Sequence, residues 1–328
     1  MNKEPLLKIE NLTIAFKTEE GVFDITDRVY LEIFPGEIFG LVGESGCGKT
    51  VTALSILRLL PKPGSIIKSG KIFFKGRDLL SLSHDEIKKI RGREITMIFQ
   101  EPAAALNPLL TIKKQLMELF EYHEVTLDKD QRVKELLKRV GFPDPRRILS
   151  CFPHELSGGM LQRVIIAMAL LLNPSLIIAD EPTTALDVTV QAQIMELLVQ
   201  MQKETQTSIL FITHNLSLIA QYADRVAVMY AGRIVEESPL DMFLNKPLHP
   251  YSKGLMDALP DLDAKSSELK SIPGQVPQPK DYSSGCRFKD RCAHAFDLCK
   301  NKPASAPGDD RLQKVACFLY RKETDGHL

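Results

Sequence analysis

The chain has no excess of charge of either sign: across 328 residues, 42 basic side chains are matched by 42 acidic ones. A nucleic-acid binder usually carries a basic face or a basic surplus, so this balance argues against that class. Long apolar runs are also missing. The longest, Val164 to Leu172, has nine residues between Arg163 and Asn173, well short of the roughly 20 that a membrane span needs. The opening segment MNKEPLLKIE lacks the apolar core of a signal peptide. Together these absences predict a soluble cytosolic protein, with any membrane role reached through a partner. Cysteine is sparse until the end: Cys47 and Cys151 stand apart, and Cys286, Cys292, Cys299 and Cys317 fall within the last 43 residues. In a reducing cytosol such a cluster more often binds metal than forms disulfides. Hydrophobic residues make up 44% of the chain, enough for a sizeable core, and the length predicts about two domains.

The stretch that organises the rest is GESGCGKT, Gly43 to Thr50. It fits G-x-x-x-x-G-K-S/T, follows the apolar run Ile38 to Val42 and precedes the helix-compatible VTALSILRLL. Strand, loop and helix in that order are the context a phosphate-binding loop requires. Gly43, Gly46 and Gly48 let successive N–H groups turn toward an anion at a helix N-terminus. Lys49 suits the outer phosphates, and the Thr50 hydroxyl suits a Mg2+ shell of oxygen and water. The chain is therefore expected to bind a nucleoside triphosphate. For Cys47, inside the loop, two readings stand: a thiol activated by N–H groups and Lys49, open to alkylation, or a small residue tolerated at a variable position.

Upstream, LLKIENLTIAF and RVYLEIF read as antiparallel strands parted by the polar KTEEGVFD. Phe16, at the end of the first, either stacks on a nucleobase or packs in the core. Downstream, KIFFKGRDLL and REITMIFQ read as strands, the second ending at Gln100. Residues 101 to 150 then change character: QRVKELLKRVGF spaces Val133, Leu136, Leu137 and Val140 as a helix face that stops at Gly141, so a helical insert is expected there. Val188 to Gln202 is a further helix, SILFIT a buried strand leading to His214, and RVAVMYAGRIVEE a hairpin turning at Ala231-Gly232. Alternating strands and helices around a phosphate loop predict an α/β fold with a parallel sheet covered on both faces. Residues 260 to 328 hold six prolines and little periodicity, so the tail needs a staple beyond hydrophobic burial.

Two more motifs carry chemistry. LSGGM, Leu156 to Met160, opens a long helix-compatible run, so Ser157, Gly158 and Gly159 either cap a helix or present its N-terminus to a phosphate. LIIADEP, Leu176 to Pro182, ends an apolar strand in two carboxylates. Asp180 suits the Mg2+ shell and Glu181 suits polarising a water for attack on the terminal phosphate. His214 either donates to that phosphate or is structural.

In order and spacing, GESGCGKT, Gln100, LSGGM, LIIADEP, TTALD and His214 resemble the ATP-binding subunits of ABC transporters, over residues 6 to about 240. The resemblance implies a P-loop NTPase with an antiparallel β subdomain and a helical subdomain over about 101–170, all within an ATPase domain of residues 1–240. Residues 241–328 would be a small metal-stapled extension. It also implies a head-to-tail dimer, with ATP and Mg2+ between the phosphate loop of one subunit and the Ser157-Gly158-Gly159 turn of the other. Nucleotide contacts would come from Phe16, Gly43, Ser45, Gly46, Cys47, Gly48, Lys49, Thr50 and Val51, and Mg2+ ligands from Thr50, Gln100 and Asp180. Glu181, Gln100 and His214 would be catalytic, Asp187 would face the subunit interface, and the helical insert would grip the membrane subunit. Met160 departs from the family's usual Gln, and Phe16 from its frequent Tyr.

The tail segments HPYSKGLMDALP, IPGQVPQP and GCRFKDRC resemble the extension of the oligopeptide and dipeptide importer ATPases, in which matching cysteines hold a 4Fe-4S cluster. By chemistry alone, the four thiolates of Cys286, Cys292, Cys299 and Cys317 suit zinc as well as iron-sulfur, with His294 as a replacement ligand for zinc. The implied partners are a second, related ATPase (or a second copy), two transmembrane permease subunits and, indirectly, an extracellular peptide-binding protein. Two other readings are an ATPase of a nickel or other small-solute importer, and a soluble ABC ATPase of nucleic-acid repair or translation. The single phosphate loop and the balanced charge disfavour the last.

Overall fold

The computed structural model describes residues 4–125, 128–184, 186–259, 271–308 and 312–320. The chain forms two compact units: Met1–Ile33, Ile38–Leu80 and Ile212–Leu328 make one, and Phe34–Glu37 with Ser81–Phe211 make the other.

The first unit opens with β1 (Leu7–Thr18) and β2 (Gly21–Ile33), then β3 (Ile38–Val42), α1 (Lys49–Ile56), β4 (Ser65–Phe74) and β5 (Arg77–Asp78). β1 buries Leu7, Ile9, Leu12 and Ile14 completely or nearly so and pairs antiparallel with β2 on one side and β4 on the other, giving the order β2-β1-β4-β5. The turn between the first strands is tighter than its polar sequence predicts. Val22 and Phe23 pair with Lys17 and Phe16, leaving only Glu19 and Glu20 outside the ladder, because β-branched and aromatic side chains gain more from cross-strand packing than from a loop.

The second unit holds α2 (His84–Ile90), β6 (Ile95–Ile98), α3 (Pro102–Ala105), α4 (Ile112–Tyr122), α5 (Lys129–Arg139), α6 (Pro145–Ser150), α7 (Gly158–Leu170), β7 (Leu176–Asp180), α8 (Val188–Thr205) and β8 (Ser208–Thr213), whose last two residues belong to the first unit. Its strands run in the order β8-β7-β6, with β6 and β7 parallel. Between Pro102 and Leu170 the described elements are all helical. Val133, Leu136 and Leu137 form the buried stripe of α5, and Gly141 ends it at φ 95°. The nine-residue apolar run lies in and just beyond α7, where Val164, Ile166 and Ala167 are buried. Among the described residues no helix is long and apolar enough to cross a membrane.

The first unit resumes with α9 (Leu216–Tyr222), β9 (Arg225–Tyr230), β10 (Arg233–Pro239), α10 (Leu240–Asn245), α11 (Pro250–Asp257), β11 (Ala306–Pro307) and β12 (Lys314–Val315). Its second sheet has the order β11-β12-β10-β9-β3 and is mixed, not parallel throughout: β3 and β9 are parallel, whereas β9, β10, β12 and β11 alternate in direction. A two-residue turn at Ala231 (φ 45°) and Gly232 (φ 81°) can only return the chain antiparallel.

Within the described residues, protein contacts supply the hold that the tail's composition calls for. The rings of Tyr230, Tyr251 and Phe288 meet with centroids 4.7 to 5.4 Å apart. Buried Glu236 accepts from the backbone N–H groups of Leu248 (2.9 Å) and His249 (2.7 Å). Asp27 gathers Arg233, Arg287 and Lys302 around one carboxylate. Burial works to raise the Asp27 pKa, but hydrogen bonds from Lys302 and Arg233 outweigh it and hold the group below the usual carboxylate range.

Candidate nucleotide-binding site

The phosphate loop leaves the fully buried β3 and enters α1 at Lys49. Its first glycine is sterically required: a Cβ on Gly43 would stand 2.1 Å from the Met229 carbonyl oxygen and 2.8 Å from Cys47 Sγ. Gly48, at φ 107°, is the N-cap of α1, a conformation that a side chain resists. Ser45, Gly46 and Thr50 are exposed, whereas Cys47, Gly48 and Lys49 are buried. The Lys49 ammonium donates to the Gly43 carbonyl at 2.8 Å and the Glu44 carbonyl at 3.1 Å, which folds the side chain over the loop it belongs to. A glycine-rich turn at a helix N-terminus with a lysine folded over it is suited to a polyphosphate. Phe16 is half-buried near the end of β1, opposite Phe23 and Ser65, and Val51 lies in the first turn of α1. His214 is exposed directly after β8.

Of the two readings of Cys47, the structure favours a small buried residue over an activated thiol. The side chain is fully buried, and that burial pushes the thiol pKa up, against the pull of Lys49. A thiolate loses more from desolvation here than it gains from one ammonium.

In the second unit, Asp180 ends β7 with 3% exposure. Glu181 follows in the left-handed region at φ 46°, a conformation that costs a non-glycine residue about 1–3 kcal/mol. Its carboxylate accepts from Gln100 Nε2 at 3.3 Å and from Thr184 Oγ1 at 2.9 Å. The fold thus brings Gln100 and Glu181 together, with Thr184 as a third member. The Ser157 hydroxyl caps α7 by accepting the Met160 N–H at 3.4 Å, and Ser157 and Gly158 are exposed. At Gly159 a Cβ would meet Val190 at 2.9 Å. Asp187 caps α8 through the Val190 N–H at 2.9 Å. The helix-cap reading of Ser157 is therefore realised, and Ser157, Gly158 and Asp187 remain exposed.

The four late cysteines, separated by up to 31 residues, line one small pocket in the first unit together with Phe288 and Phe296. Burial raises the thiol pKa of Cys286 and Cys292, and pushes that of Cys317 up to about 11. His294 lines the same pocket. Among the described residues no three His, Cys, Asp or Glu side chains are arranged to hold a single metal ion.

Sequence reasoning missed a group behind the phosphate loop. The Glu44 N–H donates to Tyr251 Oη at 3.0 Å, and the Glu44 carboxylate is bound by Arg291 at 2.9 and 3.1 Å. The sequence signal that was available is the placing of Arg287 and Arg291 directly beside Cys286 and Cys292.

Comparison with known proteins agrees with this geometry. A family model described as ABC transporter matches residues 26–184, and one described as the C-terminal region of oligopeptide/dipeptide transporters matches residues 235–299. The chain is 45% identical over 320 residues to the oligopeptide transport ATP-binding protein AppD of Bacillus subtilis, covering 97% of this chain and 98% of that protein. It is 47% identical over 297 residues to a putative peptide import ATP-binding protein of Brucella abortus, covering 90% and 89%. Among solved structures, the dimeric post-hydrolysis state of the ATP-binding cassette MJ0796 bound to ADP and Pi superposes with a TM-score of 0.63 at 29% identity, covering 71% of this chain and 98% of that one. The cbiO1 protein of Clostridium perfringens, part of the transporter complex cbiONQ, gives 0.62 at 29%, covering 74% and 92%. The chain therefore belongs to the ABC transporter ATP-binding proteins, in the oligopeptide/dipeptide import family.

Proposed function

We propose that this chain is the ATP-hydrolysing subunit that energises import of di- or oligopeptides through a membrane ABC transporter. The observation that carries the reading is the presence on one chain of a phosphate loop with Lys49 folded over it and the C-terminal region shared with oligopeptide/dipeptide transporters. Gly43, Ser45, Gly46, Cys47, Gly48 and Val51 shape the cradle for the ATP phosphates, Lys49 neutralises the outer ones and Phe16 stacks on adenine. Thr50, Gln100 and Asp180 would hold Mg2+, and their hydroxyl, amide and carboxylate oxygens are the hard donors that ion prefers. When bound, Mg2+ supplies charge neutralisation on the phosphates. Glu181, steadied by Gln100 and Thr184, takes a proton from the attacking water, and His214 donates to the terminal phosphate.

Ser157, Gly158 and Gly159 belong in this reading to the opposite face of a head-to-tail dimer, where they meet the nucleotide held by the partner. The exposure of Ser157 and Gly158 supports that placement, as does the dimeric form of the similar ATP-binding cassette. Asp187, exposed at the N-terminus of α8, lies at the subunit interface. The partner is a related, different ATPase in preference to a second copy. The helical region between 101 and 170 contacts one of two permease subunits, which places the chain at the cytoplasmic face of the membrane. An extracellular peptide-binding protein delivers cargo without touching it, and no nucleic acid takes part. Residues 1–240 form the ATPase domain and 241–328 the extension.

We assign Cys286, Cys292, Cys299 and Cys317 to a structural 4Fe-4S cluster, with zinc as the alternative. Support comes from the four thiols lining one apolar pocket, a donor set that suits iron-sulfur as well as zinc. The absorption spectrum of anaerobically purified protein tests it: a broad band at about 400 nm is expected, and a colourless protein carrying stoichiometric zinc overturns it.

Transport is tested by assembling the chain with its partner ATPase, permeases and binding protein in vesicles. ATP-dependent accumulation of labelled di- or oligopeptide is the expected result, abolished by Lys49→Ala. ATPase activity that responds to a nickel chelate and to no peptide would replace this cargo with a metal one.

A further inference from the structure

Two segments of the C-terminal extension bind the phosphate loop at Glu44. From α11, Tyr251 Oη accepts the Glu44 N–H at 3.0 Å. From the cysteine-bearing segment, Arg291 clasps the Glu44 carboxylate with Nη1 at 2.9 and 3.1 Å. The same guanidinium is locked from its other edges by the carbonyls of Pro273 (2.8 Å), Ile272 (3.3 Å) and Gly274 (3.2 Å), and the side chain is 8% exposed. A second line runs through the β9–β10 turn. Arg287 donates to the Ala231 carbonyl, and the next residue, Gly232, gives its N–H to the Cys47 carbonyl of the loop at 2.8 Å. A Cβ on Gly232 would stand 2.0 Å from the Ile25 carbonyl oxygen and 2.8 Å from Arg287 Nη1, so this relay has no slack.

We propose that residues 286–292, with Tyr251, form a brace that positions the phosphate loop, Arg291 and Tyr251 being positioning residues for nucleotide binding. Both side chains are buried, and their partner is the backbone N–H and carboxylate of Glu44, next to Gly43. Fixing that residue removes a rotation that ATP would otherwise have to freeze on binding, and pre-ordering of this kind appears as affinity. Because Cys286 precedes Arg287 and Cys292 follows Arg291, the brace and the wall of the four-thiol pocket are one stretch of chain.

The inference rests on the phosphate loop binding ATP as proposed above, and the test separates the two. Affinity for a non-hydrolysable ATP analogue with Mg2+ is measured by equilibrium titration on the full chain, together with KM and kcat for ATP. Wild type that binds no analogue would sink the function itself. Given binding by wild type, Arg291→Ala is expected to weaken analogue affinity and raise KM about five- to tenfold, with kcat changed less than about twofold. Tyr251→Phe, a conservative change that keeps the aromatic packing, should weaken affinity about threefold, and Arg291→Lys should recover part of the loss. In a Glu44→Gln background the Arg291→Ala effect should shrink to less than half. If Arg291→Ala and Tyr251→Phe lower thermal stability while analogue affinity and KM stay at wild-type values, the residues merely hold the tail and the brace is refuted.

Discussion

Acid should loosen the extension through a single imidazole. His249 is 1% exposed, and its Nδ1 accepts the Tyr251 N–H at 3.0 Å to cap α11, a task only the unprotonated nitrogen can perform. Phe288 lies against the ring at 5.7 Å. Burial first, then the nearby Lys253 charge, pull the His249 pKa from 6.5 to about 3. The folded pKa is depressed, so the neutral His249 is favoured on folding. The resulting stability is complete above pH 6.5 and is lost as pH falls toward 3. At about 1.36 kcal/mol per pH unit, the move from pH 7 to pH 5 costs about 2 kcal/mol, a fall in Tm of about 4–8 °C for a unit of this size. Glu236 works in the opposite sense, because burial raises its carboxyl pKa despite the N–H groups of Leu248 and His249. The clean measurement is therefore the difference between wild type and His249→Asn, whose side-chain oxygen can still cap the helix. The variant should have the flatter Tm profile between pH 7 and pH 5. Parallel profiles would show that His249 is not held neutral by the fold, and the reasoning would fail.

Other predictions concern the nucleotide site. Gly43→Ala should destabilise the protein by about 3 kcal/mol, since its Cβ meets a backbone carbonyl. Gly46→Ala should cost about 1 kcal/mol from its φ of 77° alone, because nothing lies within 4 Å. Equal denaturation midpoints for the two variants would contradict this. Cys47 in the native protein should react with maleimide far more slowly than in denaturant, with or without ATP, as peptide mass spectrometry can follow; rapid native labelling would show that the loop opens. Glu181→Gln keeps an oxygen to accept from Gln100 and Thr184, so nucleotide affinity should stay within about twofold while turnover falls about 10²–10⁴-fold. A turnover loss below tenfold would move the general base elsewhere.

The strands, the helices and the chemical type of the site were legible because their signals are local. A phosphate loop is eight consecutive residues after a buried strand, the stripe of α5 repeats every three or four positions, and the β9–β10 turn is announced by Ala231-Gly232. Folding alters such features little, since each rests on backbone conformation and burial pattern within a few residues. Where local signals competed, packing decided. The first hairpin tightened because Val22 and Phe23 found partners across the ladder, and of the two readings of Cys47 the small buried residue holds, because desolvation outweighs one neighbouring charge.

Composition and motif order by themselves determined that this chain binds a triphosphate on an α/β scaffold and carries a cysteine-rich tail. Only the tertiary structure decided what those parts touch. Gln100 reaches Glu181 across 81 positions, Tyr251 reaches Glu44 across 207, and Arg291 reaches Glu44 across 247. No periodicity encodes pairings at such range. They follow from which surfaces meet once the core has closed, and a charged side chain finds its partner only after burial has removed water as the competitor.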